Sequence, residues 1–433
     1  MTQTIVGTRA SAPVAAPARV RSGRVLPLAV GGVIVLLPFG GISVPVVGMS
    51  VVDAAMAVPA ALALRALARD EARLPSSLIL SGLSLGLAAC VVSAAVGVDP
   101  GDSVKLVVIS LLTFGYGLAV AQAYRPGLEI DGLDLLVLVG GIVAAMALVS
   151  AGSLQAVDAG NVVTGRLTGP FSQPNELGQF CAALLPVAVA CVVTSGSRRR
   201  TAALGLAAAL LATACVLSMS RGSWIGALTG LAFLAVCEPA TRRVLAAVGL
   251  AIVGTICAAM VLPTTTPLLG VLGSRIRTLG DPTQNQYDDR PLIWAEAWRQ
   301  ATEHPWLGVG PGGFPGVAAR SASAVSADPP DHPHDLLLTV LAERGVIGVA
   351  LGAVVVAGCL LATRAQLFAA PRPGSAPRAL RARSLAVIAA LAAVLAHGAF
   401  DMPLRNPIVS GLVWTLLGAA IVVESNRGEH PRW

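Results

Sequence analysis

Long apolar runs alternate with short polar breaks from one end of the chain to the other. Each run has about 20 residues, enough to cross the roughly 30 Å hydrocarbon core of a bilayer as a helix. Twelve such runs centre near Val33, Val58, Leu87, Ser110, Val139, Leu184, Ala209, Leu231, Leu250, Gly352, Leu391 and Leu416. Hydrocarbon offers no water to backbone N–H and C=O groups, so the expected state of each run is helix. The alternation fails in one place. From about Pro263 to Asp335 the chain is polar and punctuated by Gly and Pro, and it is too long to be a simple connector. The pattern therefore predicts an all-α integral membrane protein with twelve transmembrane helices. Its expected parts are a disordered tail over 1–24, nine spans within 25–262, one large segment over 263–335, three spans within 336–425 and a short tail over 426–433.

Composition agrees: 55% of residues are hydrophobic, 12% are charged, and the mean hydropathy is +0.76. Charge adds orientation, because short loops rich in Arg and Lys are retained on the cytoplasmic side. With both termini inside, the inner segments collect twenty of the 30 Lys and Arg, so the predicted topology is N-in, C-in and the 263–335 segment is extracytoplasmic. The net charge of +7 follows from this bias and calls for no nucleic-acid partner. The seven cysteines lie in or at the ends of apolar runs without C-x-x-C spacing, which suits packing rather than disulfides or metal ligation. No phosphate-binding glycine loop is present, which argues against an ATP-driven pump.

Candidate chemistry gathers on the outer face. Within the long segment, "DDRPLIWAEAWRQATEHPWLGVGPGGF" predicts an amphipathic helix that starts near Pro291, behind Asp288 and Asp289, and stops near Pro305. Trp294 and Trp298, four apart, suit headgroup depth, and Arg290 stands at the helix start. "GRLTGPFSQPNELGQF" carries Arg166 and Asn175 in a Gly/Pro-broken loop. "SMSRGSW" holds Arg221 at the membrane boundary between two spans. "DHPHDLLLTVLAERGVIG" places His332, His334 and Asp335 just before an apolar run that also contains Glu343, and "HGAFDMPLRNP" puts His397 and Asp401 at the outer end of the eleventh span. Each feature also has a purely structural reading. The paired histidines suit a solvated loop or helix cap, Arg221 a snorkelling anchor, and Arg290 a salt bridge to Asp288 or Asp289. Arg166 and Asn175 suit a turn, and His397 with Asp401 a helix-end hydrogen-bond pair. Gly226 and Gly230 have the spacing of close helix packing.

The four segments "GPFSQPNELG", "SMSRGSW", "RPLIWAEAW…HPWLGVGPGGF" and "HPHDLLLTVLAERGVIG", in this order, resemble the O-antigen ligase and polymerase family of integral membrane glycosyltransferases over about residues 160–350. The resemblance implies about twelve helices with the C-type glycosyltransferase fold, no metal and no cofactor. It implies transfer of a glycan from undecaprenyl diphosphate to a hydroxyl of a glycan, lipid or protein acceptor, at the outer side of the bacterial cytoplasmic membrane among its lipids. Arg221 and Arg290 match the family's functional arginines, and guanidiniums are the cations suited to a diphosphate. The resemblance implies that the functional histidine lies in this short motif, with His334 favoured and His332 in reserve. Histidine can take a hydroxyl proton near neutral pH. Asp335 stands where family members commonly carry Asn, and as a neighbouring carboxylate it is a candidate to orient the imidazole. His332, Arg166, Asn175, Asp335, Glu343, His397 and Asp401 complete the expected substrate-binding set, with Glu343 and His397 as the next candidates for the base. A polymerase of the same family is the alternative within the class. A twelve-helix secondary transporter is the alternative outside it; that class would show repeated halves and midplane charges, whereas this chain shows no such repeat and mid-span regions nearly free of charge.

Overall fold

A helix covers every one of the twelve predicted centres. The computed structural model describes residues 24–44, 49–124, 132–150, 166–261, 289–368 and 377–425. The predicted tails and the stretch 262–288, which includes Asp288, lie outside the described residues, apart from Arg24. The helices are α1 (Val25–Leu36), α2 (Val51–Ala68), α3 (Leu78–Val96), α4 (Pro100–Ala123), α5 (Gly132–Ser150), α6 (Pro174–Val193), α7 (Arg198–Leu217), α8 (Arg221–Cys237) and α9 (Arg242–Val261). They continue with α10 (Arg290–Glu303), α11 (Phe314–Arg320), α12 (Leu336–Phe368), α13 (Pro377–Gly398) and α14 (Pro407–Ser425). Two-residue strands β1 (Ser43–Val44) and β2 (Met49–Ser50) pair antiparallel between α1 and α2.

Among the described residues nine helices are long and apolar enough to cross a membrane. The number is ten if α8 and the Pro239–Ala247 segment, which meet at 118°, form one broken span. The remaining apolar helix, Val25–Phe39, is shorter. Its α1 portion has 12 residues, about 18 Å at 1.5 Å per residue, well short of a bilayer core.

Burial ranks the helices. Of the spanning stretches, 83% of α6, 78% of α14 and 67% of α13 are buried, against 17% of α12, so the first three form the centre. Helix α13 lies against α8 along a glycine stripe. A Cβ on Gly226 would fall 2.7 Å from the Ala393 carbonyl oxygen and one on Gly230 would fall 2.8 Å from that of Ala389. The expected close packing at this pair is thus between α8 and α13, and any side chain there would force the backbones apart.

Polar side chains collect at the two ends of the same helices. At one end Asp134, at the start of α5, is bound by Arg200 at the start of α7 and by Arg383 of α13, the latter at 3.2 Å. Arg383 also donates to Thr194 Oγ1 at 2.9 Å. Near the C-terminus of α14, Glu424 accepts from Ser77 Oγ at 2.6 Å, Leu78 N at 3.0 Å and Ile79 N at 2.9 Å, capping α3. The other end holds the start of α6, the α7–α8 corner, the start of α12 and the loop after α13, where the outer-face candidates lie.

Helix α12 is broken near its start. Gly345 has φ 63° and ψ −166°, a conformation that a side chain would strain. The break leaves backbone groups without helical partners, and the Gly-rich stretch after α10 supplies them. Val309 N donates to Ala342 O (2.9 Å) and Gly310 N to Glu343 O (3.2 Å), while Val346 N donates to Pro305 O (2.8 Å) and Ile347 N to Trp306 O (3.3 Å). Ser93 Oγ donates to Leu307 O at 2.6 Å, fastening the same loop to α3. The first turns of α12, which follow the paired histidines, are thereby a separate short helix held by the Pro305–Gly310 stretch.

Candidate active site

The chain reaches the site through three local devices. Pro174 opens α6, where its missing N–H costs no hydrogen bond, and Glu176 Oε2 accepts from Ser172 N (3.0 Å) and Gln173 N (3.1 Å). This fixes Asn175 in the first turn. The α7–α8 corner turns at Met219, a fully buried residue with φ +52°. His334 has φ +53°. Among the described residues only Asp70, Met219 and His334 combine a side chain with positive φ, and two of the three lie here. Such conformations cost about 1–3 kcal/mol and concentrate where geometry serves function.

A single relay of hydrogen bonds joins four of the candidates. Arg166 Nη2 donates to Asn175 Oδ1 at 2.7 Å, Asn175 Nδ2 donates to Asp401 Oδ2 at 2.7 Å, and Asp401 Oδ1 lies 3.0 Å from His334 Nδ1. The backbone N of Met402 also donates to Asp401 Oδ1, at 2.8 Å. Arg166 Nε donates to Ser218 O at 2.9 Å, so the relay is anchored on the α7–α8 corner three residues before Arg221. His332 backs the other side of the loop. Its Nδ1 accepts from His334 N at 3.1 Å, and the two rings stand 4.5 Å apart between centroids.

The relay fixes the chemistry of the imidazole. Arg166 has only donors, which sets the Asn175 amide with its oxygen toward Arg166 and its NH₂ toward Asp401. Burial alone would raise the pKa of Asp401. The His334 hydrogen bond, the neighbouring histidines and Asn175 outweigh it and hold the carboxyl well below the usual carboxylate range. An ionised Asp401 only accepts, so His334 carries its proton on Nδ1 and leaves the lone pair on Nε2. Burial and the adjacent His334 push the pKa of His332 down to about 4, which leaves it neutral at pH 7.

The remaining candidates take distinct places. Asp335 is the cap of α12: its Oδ1 accepts from Leu338 N at 2.8 Å. The carboxylate beside His334 is therefore that of Asp401, 67 residues away, rather than the adjacent Asp335. His397 does not pair with Asp401 through its side chain. It is fully buried against α8, with Cδ2 3.3 Å from where a Cβ on Gly222 would lie. Glu343 is buried and ion-paired with Arg405, whose guanidinium also donates to Asp331 O. Arg405 was not singled out from sequence, although "DMPLRNP" offered a signal, an arginine four residues beyond Asp401. Arg290 begins α10, as expected, and its charge reaches His397. Trp294 Nε1, one turn on, donates to Pro333 O at 3.0 Å and ties α10 to the residue between the two histidines. Arg221 begins α8, beside the Gly222–His397 contact.

A family model described as O-antigen ligase matches residues 206–353, a stretch that contains Arg221, Arg290, His332, His334 and Glu343. Over this stretch, about a third of its length, the chain is similar to the O-antigen ligases. An O-antigen ligase of Pseudomonas aeruginosa is 44% identical to this chain over 69 residues, which is 16% of either chain. Arg166, Asn175, His397 and Asp401 fall outside the stretch matched by the O-antigen ligase model, and three of them reach His334 only through the relay.

Proposed function

We propose that this membrane protein transfers a glycan from undecaprenyl diphosphate to an acceptor hydroxyl, with His334 as the general base. The observation that carries the reading is the His334–Asp401 pair at 3.0 Å, with Asp401 anchored in turn by Asn175 and Arg166. An imidazole with its lone pair held on Nε2 is suited to take the acceptor's proton as the oxygen attacks the sugar carbon. The bond to the diphosphate then breaks, and the leaving group carries its negative charge away from the carbon. Arg221 and Arg290 stabilise that charge, and each stands at a helix N-terminus that favours an anion as well. The cations supply what a metal would, so the reaction proceeds without one.

In this reading the chain is a multi-pass protein of the bacterial cytoplasmic membrane with both termini inside, in the C-type glycosyltransferase fold. The relay then faces outward and the Asp134–Arg200–Arg383 cluster inward. The large segment is extracytoplasmic, and membrane lipids surround the bundle.

The test is donor-to-acceptor transfer by the purified chain in nanodiscs with chelator present. His334→Ala should abolish transfer while lipid diphosphate binding persists. His332→Ala should lose less, because His332 only supports the backbone of His334. Wild-type transfer by His334→Ala would remove the base and the mechanism with it. Comparison of an added glycan acceptor with a lipid acceptor separates polymerase from ligase.

A further inference from the structure

The residues that frame the proposed base also form a donor set for a metal ion. His332, His334 and Asp401 each offer one ligand atom, and the three atoms lie within 4.8 Å of one another. One edge of this triangle, His334 Nδ1 to Asp401 Oδ1, is 3.0 Å. In a tetrahedral zinc site with ligand bonds of about 2.1 Å, donor atoms stand about 3.4 Å apart, so shifts of about 1 Å at the side-chain ends convert the present arrangement. We infer that His332, His334 and Asp401 bind a transition-metal dication, Zn²⁺ foremost, and that its occupancy switches off glycan transfer.

Four features support the ion site. Two imidazoles with one carboxylate suit Zn²⁺ or Cu²⁺ and not Mg²⁺ or Ca²⁺, which prefer oxygen shells. Asp401 is already oriented from outside by Asn175 Nδ2 at 2.7 Å and Met402 N at 2.8 Å, as metal-binding carboxylates are. The side chain of His334 is 25% exposed, which leaves room for a fourth ligand from solvent. Arg405, whose charge reaches His332, is paired with Glu343, and the pairing lessens its repulsion of a dication.

Inhibition follows from the position of the lone pair, and it rests on the reading of His334 as the base. If the ion binds Nε2, it takes that lone pair directly. If it binds Nδ1, the Nδ1 proton must leave, and protonation then moves to Nε2. Neither form can accept a proton from a hydroxyl. The ion is therefore a competitor of the acceptor's proton and not a cofactor.

The experiment uses the full chain in nanodiscs, purified with a tag that contains no histidine. Zn²⁺ binding is followed by calorimetry, and Co²⁺ binding by the visible absorption of a four-coordinate site. The expected result is one ion per chain, bound at least tenfold more weakly by His332→Asn and by Asp401→Asn. Asn at 332 keeps an oxygen that can accept the His334 N–H, so this variant removes a ligand while preserving the loop. Transfer should fall as Zn²⁺ fills the site, recover with chelator and ignore Mg²⁺. Absence of stoichiometric binding, or equal binding by both variants, overturns the ion site. Transfer that rises with Zn²⁺ overturns the inhibition. A wild-type chain that binds the ion through these residues yet transfers no glycan overturns the transferase reading and the inhibition together, with the ion site intact.

Discussion

Asp401→Asn removes one charge and exchanges one acceptor for a donor, and the relay dictates how the new amide settles. With its oxygen toward His334 and Met402, the NH₂ meets the Asn175 NH₂. Asn175 must then flip, which turns its NH₂ toward Arg166, a residue with donors only. That orientation forfeits the Arg166–Asn175 bond now made at 2.7 Å, a charge-assisted bond in the class of about 1.5–3 kcal/mol. With the NH₂ toward His334, the Met402 bond of 2.8 Å is forfeited instead, a neutral bond in the class of about 0.5–1.5 kcal/mol. The second arrangement wins by roughly 1 kcal/mol or more, and in it His334 must accept on Nδ1 and carry its proton on Nε2. Most molecules then hold the wrong tautomer, and the carboxylate that would stabilise the imidazolium is gone as well. Loss of an orienting aspartate in comparable sites costs up to about 10⁴ in turnover, so a fall of about 10²- to 10⁴-fold is expected here. Initial rates at saturating acceptor measure it, with donor affinity and melting temperature as controls. A variant that keeps its rate within about threefold, with normal donor binding, would refute the tautomer argument.

The other expectations are more direct. Arg221→Lys and Arg290→Lys each keep the charge but lose the planar fork, so each should reduce turnover about tenfold or more, and wild-type rates in both would leave only a diffuse field at these positions. Gly345→Ala should lower the melting temperature markedly, since its φ of 63° with ψ of −166° suits glycine and a Cβ there would lie 2.3 Å from the Trp306 carbonyl carbon. Melting of this variant at the wild-type temperature would show that the α12 break is not held as described. Cysteines placed singly at Gly196 and Ala324, in a chain with Cys257 replaced by Ser, should react with an impermeant reagent from opposite sides of the membrane, Ala324 from outside. Labelling of both from one side would defeat the proposed orientation.

The membrane helices were legible because hydrocarbon imposes a rule that each segment satisfies alone: its backbone must bond to itself. Apolar run length therefore located all twelve centres. Length is also where the twelve-span expectation departs from the structure. The 12 residues of α1 do not reach across a bilayer, and the 118° bend after α8 makes the next short connection a corner rather than a hairpin. The break at Gly345 carried only a faint signal, a glycine directly after the charged pair Glu343–Arg344 and three residues before Gly348. Its cause lies elsewhere in the chain, in the carbonyls of Pro305 and Trp306 and the N–H groups of Val309 and Gly310.

The site was legible in its parts and not in its connections. Motif order put His334, Arg221 and Arg290 forward, yet the obvious carboxylate for His334 was the adjacent Asp335. Helix geometry explains why adjacency misled. Asp335 precedes α12, and the first-turn N–H of Leu338 is an unsatisfied donor that a cap carboxylate meets at once. A side chain committed to its own helix cannot also orient the preceding residue, so the partner had to come from another element. The end of α13 brings Asp401 there, because the glycine stripe on α8 draws α13 close at Ala389 and Ala393 and sets the height of the loop that follows. The packing stripe read from sequence as Gly226 and Gly230 is in this way a cause of the His334–Asp401 pair. Bulky side chains on the stripe should therefore weaken glycan transfer through the position of Asp401, without touching any residue of the relay.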